Sequence, residues 1–254
     1  VTGAALGTAC AYIVTSLMQC YFAFFRSAIL SVRHAGESFR FVSSYLVNAF
    51  KIGAPMAVQY FLMSSAQIVS TMIIAPLGNF AIAANTFAIT AESLCYMPGY
   101  GIGDAATTLV GQSIGAGRRE LCRSFARMAV FTGMIVMAFM GLVMYIMAPE
   151  MMGLMTPVGE IQALGTQSLR IEAFAEPFFA ASIVSYCVFV GAGDTLRPAI
   201  INLGSMWLVR LTLAALLATS YGLPGVWTAM AIELTFRGCM FLLRLFRGKW
   251  LKEK

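Results

Sequence analysis

The chain has 254 residues, of which 59% are hydrophobic and 11% charged, and its mean hydropathy is +0.81. Soluble domains carry about 25% charged residues, so this composition excludes an ordinary soluble fold and indicates a membrane protein. The formal net charge of +6 does not point to nucleic acid. Fourteen of the seventeen basic residues fall in connections between apolar stretches, and no basic face on a soluble domain is predicted.

Seven apolar stretches, each long enough to cross a bilayer, follow one another along the chain. They cover residues 2–25, 50–75, 81–112, 124–148, 166–190, 199–220 and 225–246. The connections around Pro76–Phe80, Pro149–Gly159 and Ser220–Pro224 hold no Lys or Arg. The other connections and the tail hold Arg26, Arg33, Arg40, Lys51, Arg118, Arg119, Arg123, Arg127, Arg197, Arg244, Arg247, Lys249, Lys252 and Lys254. This alternation is the positive-inside pattern, and it predicts that the basic connections and the C-terminus are cytoplasmic.

Neither the cysteines nor the histidine indicates a metal site or a catalytic centre. The six cysteines are dispersed, without a Cys-x-x-Cys pair: Cys10, Cys20, Cys95, Cys122, Cys187 and Cys239. They are interpreted as small apolar packing residues, and no disulfide, metal or cofactor is predicted. The single histidine, His34, falls in a predicted inside connection. An embedded hydrolase or acyltransferase would need a His or Ser/His constellation in the spans, so the chain is predicted not to be an enzyme.

An internal similarity suggests a repeated architecture. The segment Gly3–Ala9 resembles Gly225–Ala231 at the start of the last stretch, with an offset of 222 residues that contains six stretches. We therefore expect the first stretch to be the last helix of a preceding copy. The predicted organisation has four parts: a transmembrane helix at 1–25, a cytoplasmic linker at 26–45, a six-helix lobe at 46–248 and a basic tail at 249–254.

Two glycine-rich segments carry a family signature. The third stretch closes on Leu109-Val-Gly-Gln-Ser-Ile-Gly-Ala-Gly-Arg118, and Gly191-Ala-Gly-Asp-Thr-Leu-Arg-Pro198 joins the fifth and sixth stretches. Neither segment fits a phosphate-binding loop. Their order and neighbours resemble the multidrug and toxic compound extrusion (MATE) family. The resemblance extends over essentially the whole chain. Its motif glycines are Gly111, Gly115, Gly117, Gly191 and Gly193.

The resemblance implies an all-α membrane protein built as a twelve-helix, two-lobe antiporter. This chain would supply the six-helix C-terminal lobe and one preceding transmembrane helix. The activity it implies is exchange of Na+ or H+ for amphiphilic, often cationic compounds by alternating access, in a bacterial cytoplasmic membrane. The expected partners are the N-terminal lobe of the same protein, the lipid bilayer and a small amphiphilic substrate. Nucleic acid is not expected, and the coupling ion takes the place of a cofactor.

Charged residues inside the apolar stretches are the candidates for coupling. Five carboxylates (Glu92, Asp104, Glu172, Glu176 and Glu233) accompany three arginines (Arg170, Arg210 and Arg237). Ionised groups in a bilayer normally face a partner or a cavity, so at least two carboxylates are left to bind a proton or a cation.

The arginine-rich part of this set is interpreted as structural. Arg210 and Glu233 are expected at one membrane level on consecutive helices, and they are the preferred ion pair. Arg237, four residues after Glu233, is the alternative partner by an i,i+4 contact. Asp104 is expected to be a helix cap or loop partner.

The remaining acids are the coupling candidates. Glu172 and Glu176 lie four residues apart and are expected on one helix face before Pro177, where they can share one proton or cation. The resemblance places a functional acid in this tenth helix of the family. Glu92 is the third candidate, because Met97–Gly103 is expected to break its helix near the middle of the membrane. Asp104 would lie on the cytoplasmic side of that break.

A polar stripe on the second stretch is the candidate substrate surface. Its members Gln59, Met63, Gln67 and Ser70 recur at helical spacing, which predicts a face that lines a cavity. Some family members carry a glutamate on this helix, and this chain does not. One further alternative stays open, a lipid-linked oligosaccharide flippase of the same broad superfamily. Such a flippase would need a strongly cationic cavity, whereas the intramembrane charge of this chain is acidic.

Overall fold

A computed structural model describes residues 2–26, 43–248 and 250–251. Arg33, His34, Arg40 and the three tail lysines therefore lie outside the described residues. The chain divides into two compact units, residues 1–47 and 48–254. The first unit contains helix α1 (Thr2–Tyr21), which continues into a π-helical turn at Phe22–Arg26.

The other described elements are also helices. They are α2 (Ser43–Ile74), α3 (Asn79–Gly115), α4 (Arg119–Met155), α5 (Gly159–Glu172), α6 (Glu176–Gly191), α7 (Leu196–Gly204) and α8 (Leu211–Arg247). A 3-10 turn at Ala75–Leu77 follows α2, and a π-helical segment at Ser205–Arg210 joins α7 to α8. The prediction of an all-α membrane protein is confirmed for the described residues, and the predicted apolar stretches fall in helix except where a bend at residues 173–175 interrupts the stretch 166–190.

Length and composition identify four helical stretches that can cross a membrane among the described residues. They are Ala5–Arg26, Ala49–Leu77, Arg119–Met155 and Leu196–Arg247, and the bent pair α5–α6 adds a fifth if it forms one span. The 37-residue α3 is not among them. The 52-residue stretch leaves helical geometry at Gly222, where φ is 61° and ψ is −142°. It therefore consists of two helices, which matches the predicted connection at Ser220–Pro224.

Helix α4 shows how the bundle divides its surface between protein and lipid. Small residues and methionines on one face are buried, among them Ala126, Gly133 and Met137. Ile135 and Phe139, on the opposite face, are 70% and 62% exposed. A helix that is apolar on all sides and still exposes large side chains is typical of a membrane span in contact with lipid. The helix also continues through Pro149, so the predicted connection at Pro149–Gly159 begins only after Met155.

Helix α3 is continuous through the segment that was expected to break it. Pro98 lies inside the helix, and its neighbouring glycines serve close packing. A Cβ at Gly99 would lie 2.3 Å from the sulfur of Met137, and one at Gly103 would lie 2.8 Å from that of Cys187. The predicted break at Met97–Gly103 is therefore wrong, since the helix continues through it. The glycines of this segment instead allow α4 and α6 to pack closely against α3.

The two glycine-rich family segments end α3 and α6 with the same backbone geometry. Gly117 (φ 71°) follows α3 and Gly193 (φ 77°) follows α6, each after a Gly-Ala pair. The amide of the next residue, Arg118 or Asp194, donates back to the helix over five residues, to Ser113 and Phe189 respectively. This is the Schellman motif, in which glycine adopts the left-handed conformation that other residues rarely adopt.

These two endings pack against each other. Gly191 lies against the backbone of Thr107, whose hydroxyl donates to the carbonyl oxygen of Cys187 at 3.0 Å. Asp194 forms an ion pair with Arg244 near the end of α8. The ends of α3, α6 and α8 and the start of α4 thus meet at one end of the second unit. We call this the basic end because Arg118, Arg123, Arg197 and Arg247 all belong to it.

The motif glycines differ in what a side chain would meet, which gives a first prediction. A Cβ at Gly191 would lie 2.6 Å from the carbonyl oxygen of Thr107, whereas one at Gly115 meets nothing within 4 Å. Gly191→Ala should therefore force α3 and α6 apart and lower the unfolding free energy by about 1–3 kcal/mol. Gly115→Ala, the matched control, should be neutral or stabilising by up to ~1 kcal/mol. Thermal unfolding of the two purified variants measures this, and equal midpoints would contradict the packing role of Gly191.

Candidate functional site

A cavity of about 350 Å³ lies among five elements of the second unit. Its wall combines aromatic, sulfur-containing and polar side chains from α2, α3, α6, α7 and α8. The wall includes Gln59, Met63, Tyr100, Asp104, Phe179, Tyr186, Asn202 and Arg237. The volume is in the range of small-molecule sites, which are mostly apolar with a few polar groups that orient the ligand.

The polar groups of this cavity are partly organised by the protein itself. The hydroxyl of Tyr186 donates to Oε1 of Gln59 at 3.1 Å, which joins α6 to α2. The guanidinium of Arg237 lies 5.9 Å from the ring centre of Phe179. Asp104 lies inside α3, is exposed and lines the cavity, and no contact with a loop is seen in the described residues, so the expectation of a helix cap or loop partner is wrong. The cavity thus holds one cationic and one anionic side chain among phenol, amide and thioether groups.

The predicted polar stripe on α2 divides at its middle. Gln59 and Met63 line the cavity, as one face of a helix allows. Ser70 is buried farther along α2, and Gln67 is exposed. Neither of these two lines the cavity, so the substrate-surface prediction fits the geometry only in the half of the stripe that faces Tyr186.

Glu172 and Glu176 lie on either side of a sharp bend. Glu172 ends α5 and Glu176 begins α6, and the two helices meet at 62° across Ala173–Ala175. The expectation that both acids share one straight helix face is therefore wrong. Pro177 has no amide hydrogen and follows directly, so the helical bond that would hold the Ala173 carbonyl cannot form. The chain turns at this point instead.

Both carboxylates are fully buried. Each is 0% exposed, and none of their four oxygen atoms has a hydrogen-bond partner in the described part of the chain. Burying an ionised group without a partner is costly, and a native protein normally offsets that cost with a proton, a counter-charge or a cation. The two carboxylates at the bend of residues 172–176 are therefore expected to bind a proton or a cation.

Helix α4 fixes the position of Glu176. Gly141 faces the bend, and a Cβ there would lie 2.8 Å from the carbonyl oxygen of Ala173 and 3.0 Å from Cβ of Glu176. Both contacts are tighter than ordinary van der Waals packing allows. Only glycine lets α4 come this close, so the free carbonyl and the carboxylate side chain are held against one helix.

A third acid and an arginine complete the group. Glu92 on α3 is buried and lies within electrostatic range of both Glu172 and Glu176. Arg210, at the end of the π-helical segment, lies within range of Glu92 and Glu172 without an ion pair to either. We call Glu92, Glu172 and Glu176 the acidic cluster. The sequence prediction named these three residues, and the structure brings them together from α3, α5 and α6.

The cluster lies behind the wall of the central cavity. None of its three acids is among the cavity-lining residues. Tyr96 on α3 lies within electrostatic range of Glu92 and Glu176, and its ring meets that of Phe179 edge-on at 5.6 Å. Phe179 itself lines the cavity. The Tyr96–Phe179 contact therefore joins a residue near the acids to a residue of the cavity wall.

The preferred ion pair Arg210–Glu233 is not formed. Glu233 is fully buried, lies 3.2 Å from Nε of Arg237 and accepts a hydrogen bond from the hydroxyl of Ser205. The i,i+4 spacing places Glu233 and Arg237 on one face of α8, so this contact needs no particular helix arrangement. Arg210 instead contacts the sulfur of Met230 at 2.7 Å. The alternative partner Arg237 is thus the one observed.

Sequence reasoning did not identify several cavity residues. Asn202, Tyr100 and Tyr186 line the cavity but were not named, and Arg237 was assigned a structural role alone. Phenol and amide groups inside apolar stretches were an available signal, because such groups seldom face lipid. Which of them share a cavity depends on helix rotation and on the bend before Pro177.

The Glu233–Arg237 pair yields a second prediction. Glu233→Gln would leave Arg237 buried without its counter-charge, so the unfolding free energy should fall by about 3–5 kcal/mol. Glu160→Gln, an exposed glutamate in the first turn of α5, is the matched control and should change it by less than about 0.5 kcal/mol.

Thermal unfolding of the purified protein distinguishes the two variants. The double variant Glu233→Gln/Arg237→Leu should regain part of the loss, because no unpaired charge remains. A single Glu233→Gln variant as stable as the control would contradict the pairing.

Comparison with known proteins agrees with this architecture. The model of the MatE family matches residues 55–216, more than half of the chain. A probable multidrug resistance protein NorM of Thermotoga maritima is 28% identical over 205 residues, which are 80% of this chain and 44% of that protein. The chain thus spans less than half the length of this relative.

Solved structures share the fold. A MOP superfamily transporter from Pyrococcus furiosus superposes with a TM-score of 0.86 at 20% identity, over 99% of this chain and 57% of that one. The Vibrio cholerae MATE transporter VcmN in its bent form gives a TM-score of 0.76 at 18% identity, over 95% of this chain and 53% of that one. With the family match and the apolar helices, these findings show that the chain is an integral membrane protein that belongs to the MatE family.

Proposed function

We propose that the protein exports amphiphilic, often cationic compounds in exchange for Na+ or H+, as a multidrug efflux transporter of a bacterial cytoplasmic membrane with a cytoplasmic C-terminus. The observation that carries the proposal is the acidic cluster, in which Glu172 and Glu176 are buried with four unpartnered carboxylate oxygens. The names of the relatives support multidrug efflux. The central cavity supports a small amphiphilic substrate, since its wall joins aromatic rings to a carboxylate.

The coupling ion would act on the acidic cluster. Three carboxylates in electrostatic range repel one another when ionised, and a proton or Na+ lowers that repulsion. Arg210 offsets part of the charge at Glu92 and Glu172, which leaves Glu176 as the acid with the least compensation. We therefore assign the main coupling role to Glu176, with Glu172 and Glu92 as its electrostatic partners.

Substrate would bind in the central cavity, in competition with the ion. A ligand shifts a conformational equilibrium only through a difference in its affinity for the two states. The contact between Tyr96 and Phe179 offers a structural route between cluster and cavity, because Phe179 lines the cavity and Tyr96 lies within electrostatic range of Glu92 and Glu176. Repacking of this pair when the cluster gains or loses an ion would change the cavity wall.

A second lobe of the same protein would complete the carrier. Transporters built from repeats place their sites near the middle of the membrane, at the repeat interface, and alternate access by moving one repeat against the other. The flippase alternative is less well supported, because Arg237 is the single cation among the residues lining the cavity and already pairs with Glu233.

Charge neutralisation tests the proposal directly. Glu176→Gln, in the protein expressed from its complete gene, should lower ion-driven efflux from proteoliposomes by more than about tenfold, within the usual range of coupling between sites. Glu150→Gln, an exposed glutamate of α4, is the control and should transport normally. Separate Na+ and pH gradients identify the ion. Undiminished efflux by Glu176→Gln at equal protein levels would refute the assignment.

Gly141 offers a test that leaves every charge in place. The added methyl group of Gly141→Ala would clash with the Ala173 carbonyl and with the side chain of Glu176. The variant should therefore fold but transport less, because the carboxylate is displaced. Gly153→Ala, also in α4, adds a methyl group where nothing lies within 4 Å and serves as the control. Efflux of the Gly141→Ala variant equal to that of the control would show that the close approach of α4 does not position the acid.

A further inference from the structure

Three arginines converge on a small pocket at the basic end of the second unit. The pocket holds about 130 Å³ and lies between the start of α4 and the end of α8. Arg123 and Arg127 enter it from α4 and Arg247 from α8, while Gly248 and Trp250 close it. At ~30 Å³ per water it has room for about four waters, which suits one compact anionic group and is too small for a drug.

Within the described residues, these three charges have no counter-charge in contact with them. Arg123, Arg127 and Arg247 make no ion pair with any acid in the described residues. Arg244, one turn before Arg247, pairs with Asp194. The end of α8 therefore contains two different arginines. Arg244 has a carboxylate partner, whereas Arg247 lines the pocket together with Arg123 and Arg127.

The pocket is a formed feature of the fold. Gly248 adopts a left-handed conformation (φ 67°) and turns the chain back, so that Trp250 is 2% exposed. The indole nitrogen of Trp250 donates to the carbonyl oxygen of Leu245 at 3.1 Å, and its ring lies 5.8 Å from that of Phe189 in the core. One wall of the pocket is thus anchored, and the guanidinium of Arg127 rests 6.0 Å from the ring centre of Phe246.

An apolar surface adjoins the arginines. Phe131 and Phe246 are about half exposed, and their ring centres lie 6.2 Å apart. They belong to α4 and α8, and the ring of Phe246 lies beside the guanidinium of Arg127. A molecule with a phosphate group at one end and acyl chains at the other would contact both features at once.

We propose that this pocket binds the phosphate of an anionic phospholipid headgroup, with the acyl chains lying over Phe131 and Phe246. Arginine presents a planar fork that holds phosphate oxygens through two parallel hydrogen bonds. Three such forks in one pocket distinguish this site from the general attraction of basic loops to an anionic membrane surface. The bound lipid would tie the start of α4 to the end of α8.

A matched pair of triple variants tests the site. Arg123→Gln/Arg127→Gln/Arg247→Gln removes the pocket charges, whereas Arg118→Gln/Arg119→Gln/Arg197→Gln removes three exposed charges from the same end that line no described pocket. The purified protein is titrated with phosphatidylglycerol and with phosphatidylcholine in nanodiscs, and co-purified lipid is counted by native mass spectrometry. The pocket variant should bind phosphatidylglycerol more than about tenfold more weakly, because it loses charge-assisted hydrogen bonds to the phosphate that are worth about 1.5–3 kcal/mol each. The control variant should stay within about twofold of the parent.

The remaining outcomes are also decisive. Equal losses in the two triple variants would overturn the proposal, because net charge alone would then explain binding. Saturation by inorganic phosphate at the same affinity as phosphatidylglycerol would overturn the lipid assignment in favour of a free phosphate site. Should the pocket triple fail to fold, Arg123→Lys keeps the charge and removes the fork. Several-fold weaker phosphatidylglycerol binding by that variant supports the site, and unchanged binding overturns it.

Discussion

The cost of burying charge away from water is the constraint on which the second unit depends. Four glutamates, Glu92, Glu172, Glu176 and Glu233, are buried, yet only Glu233 has a direct cationic partner. Its pair with Arg237 lies within α8, and the hydrogen bond that it accepts from Ser205 joins α8 to the π-helical segment before it. The other three acids belong to α3, α5 and α6, and Arg210 acts at long range on Glu92 and Glu172 but not on Glu176. Structural charge and responsive charge are thus segregated, although Glu172 lies within electrostatic range of both.

Glycine provides the close approaches that make this segregation possible. Gly141 admits the Ala173 carbonyl and Glu176, while Gly99 and Gly103 admit Met137 and Cys187. In a bilayer there is no hydrophobic force between apolar helices, so small residues and tight packing supply much of the association. The same residue type acts differently at the basic end, where Gly117 and Gly193 terminate helices by adopting positive φ. Glycine therefore has two separate roles in this fold: it allows close helix packing, and it ends helices.

The sequence predicted the helices because apolar length is a local pattern, and it named three acids that the structure buries; their coupling role stays a prediction. Apolar length set the helical stretches, and the count of carboxylates against arginines singled out Glu92, Glu172 and Glu176. The errors arose where a local pattern has two physical outcomes. A proline next to glycines can break a helix or lie within a closely packed one, and at Pro98 the helix is continuous. A proline can also kink one helix or lie at the junction of two, and Pro177 lies at the junction where α5 and α6 meet at 62°. Helix rotation decided the rest, since it places Asp104 and Arg237 at the cavity and turns Gln67 away from it.

The partition of arginines follows the same logic as that of the acids. Arg237 and Arg244 have carboxylate partners, Arg210 has electrostatic neighbours without contact, and Arg123, Arg127 and Arg247 face a pocket. A cation that the fold neutralises contributes to stability, whereas one that it leaves unpaired remains available to an external anion. At the acidic cluster the unpaired groups are carboxylates, so the expected external ligand is a cation. Both sites adjoin α4, which carries Gly141 towards its middle and Arg123 at its start. Occupancy of the pocket at one end of this helix would therefore restrain the element that holds Glu176 in place.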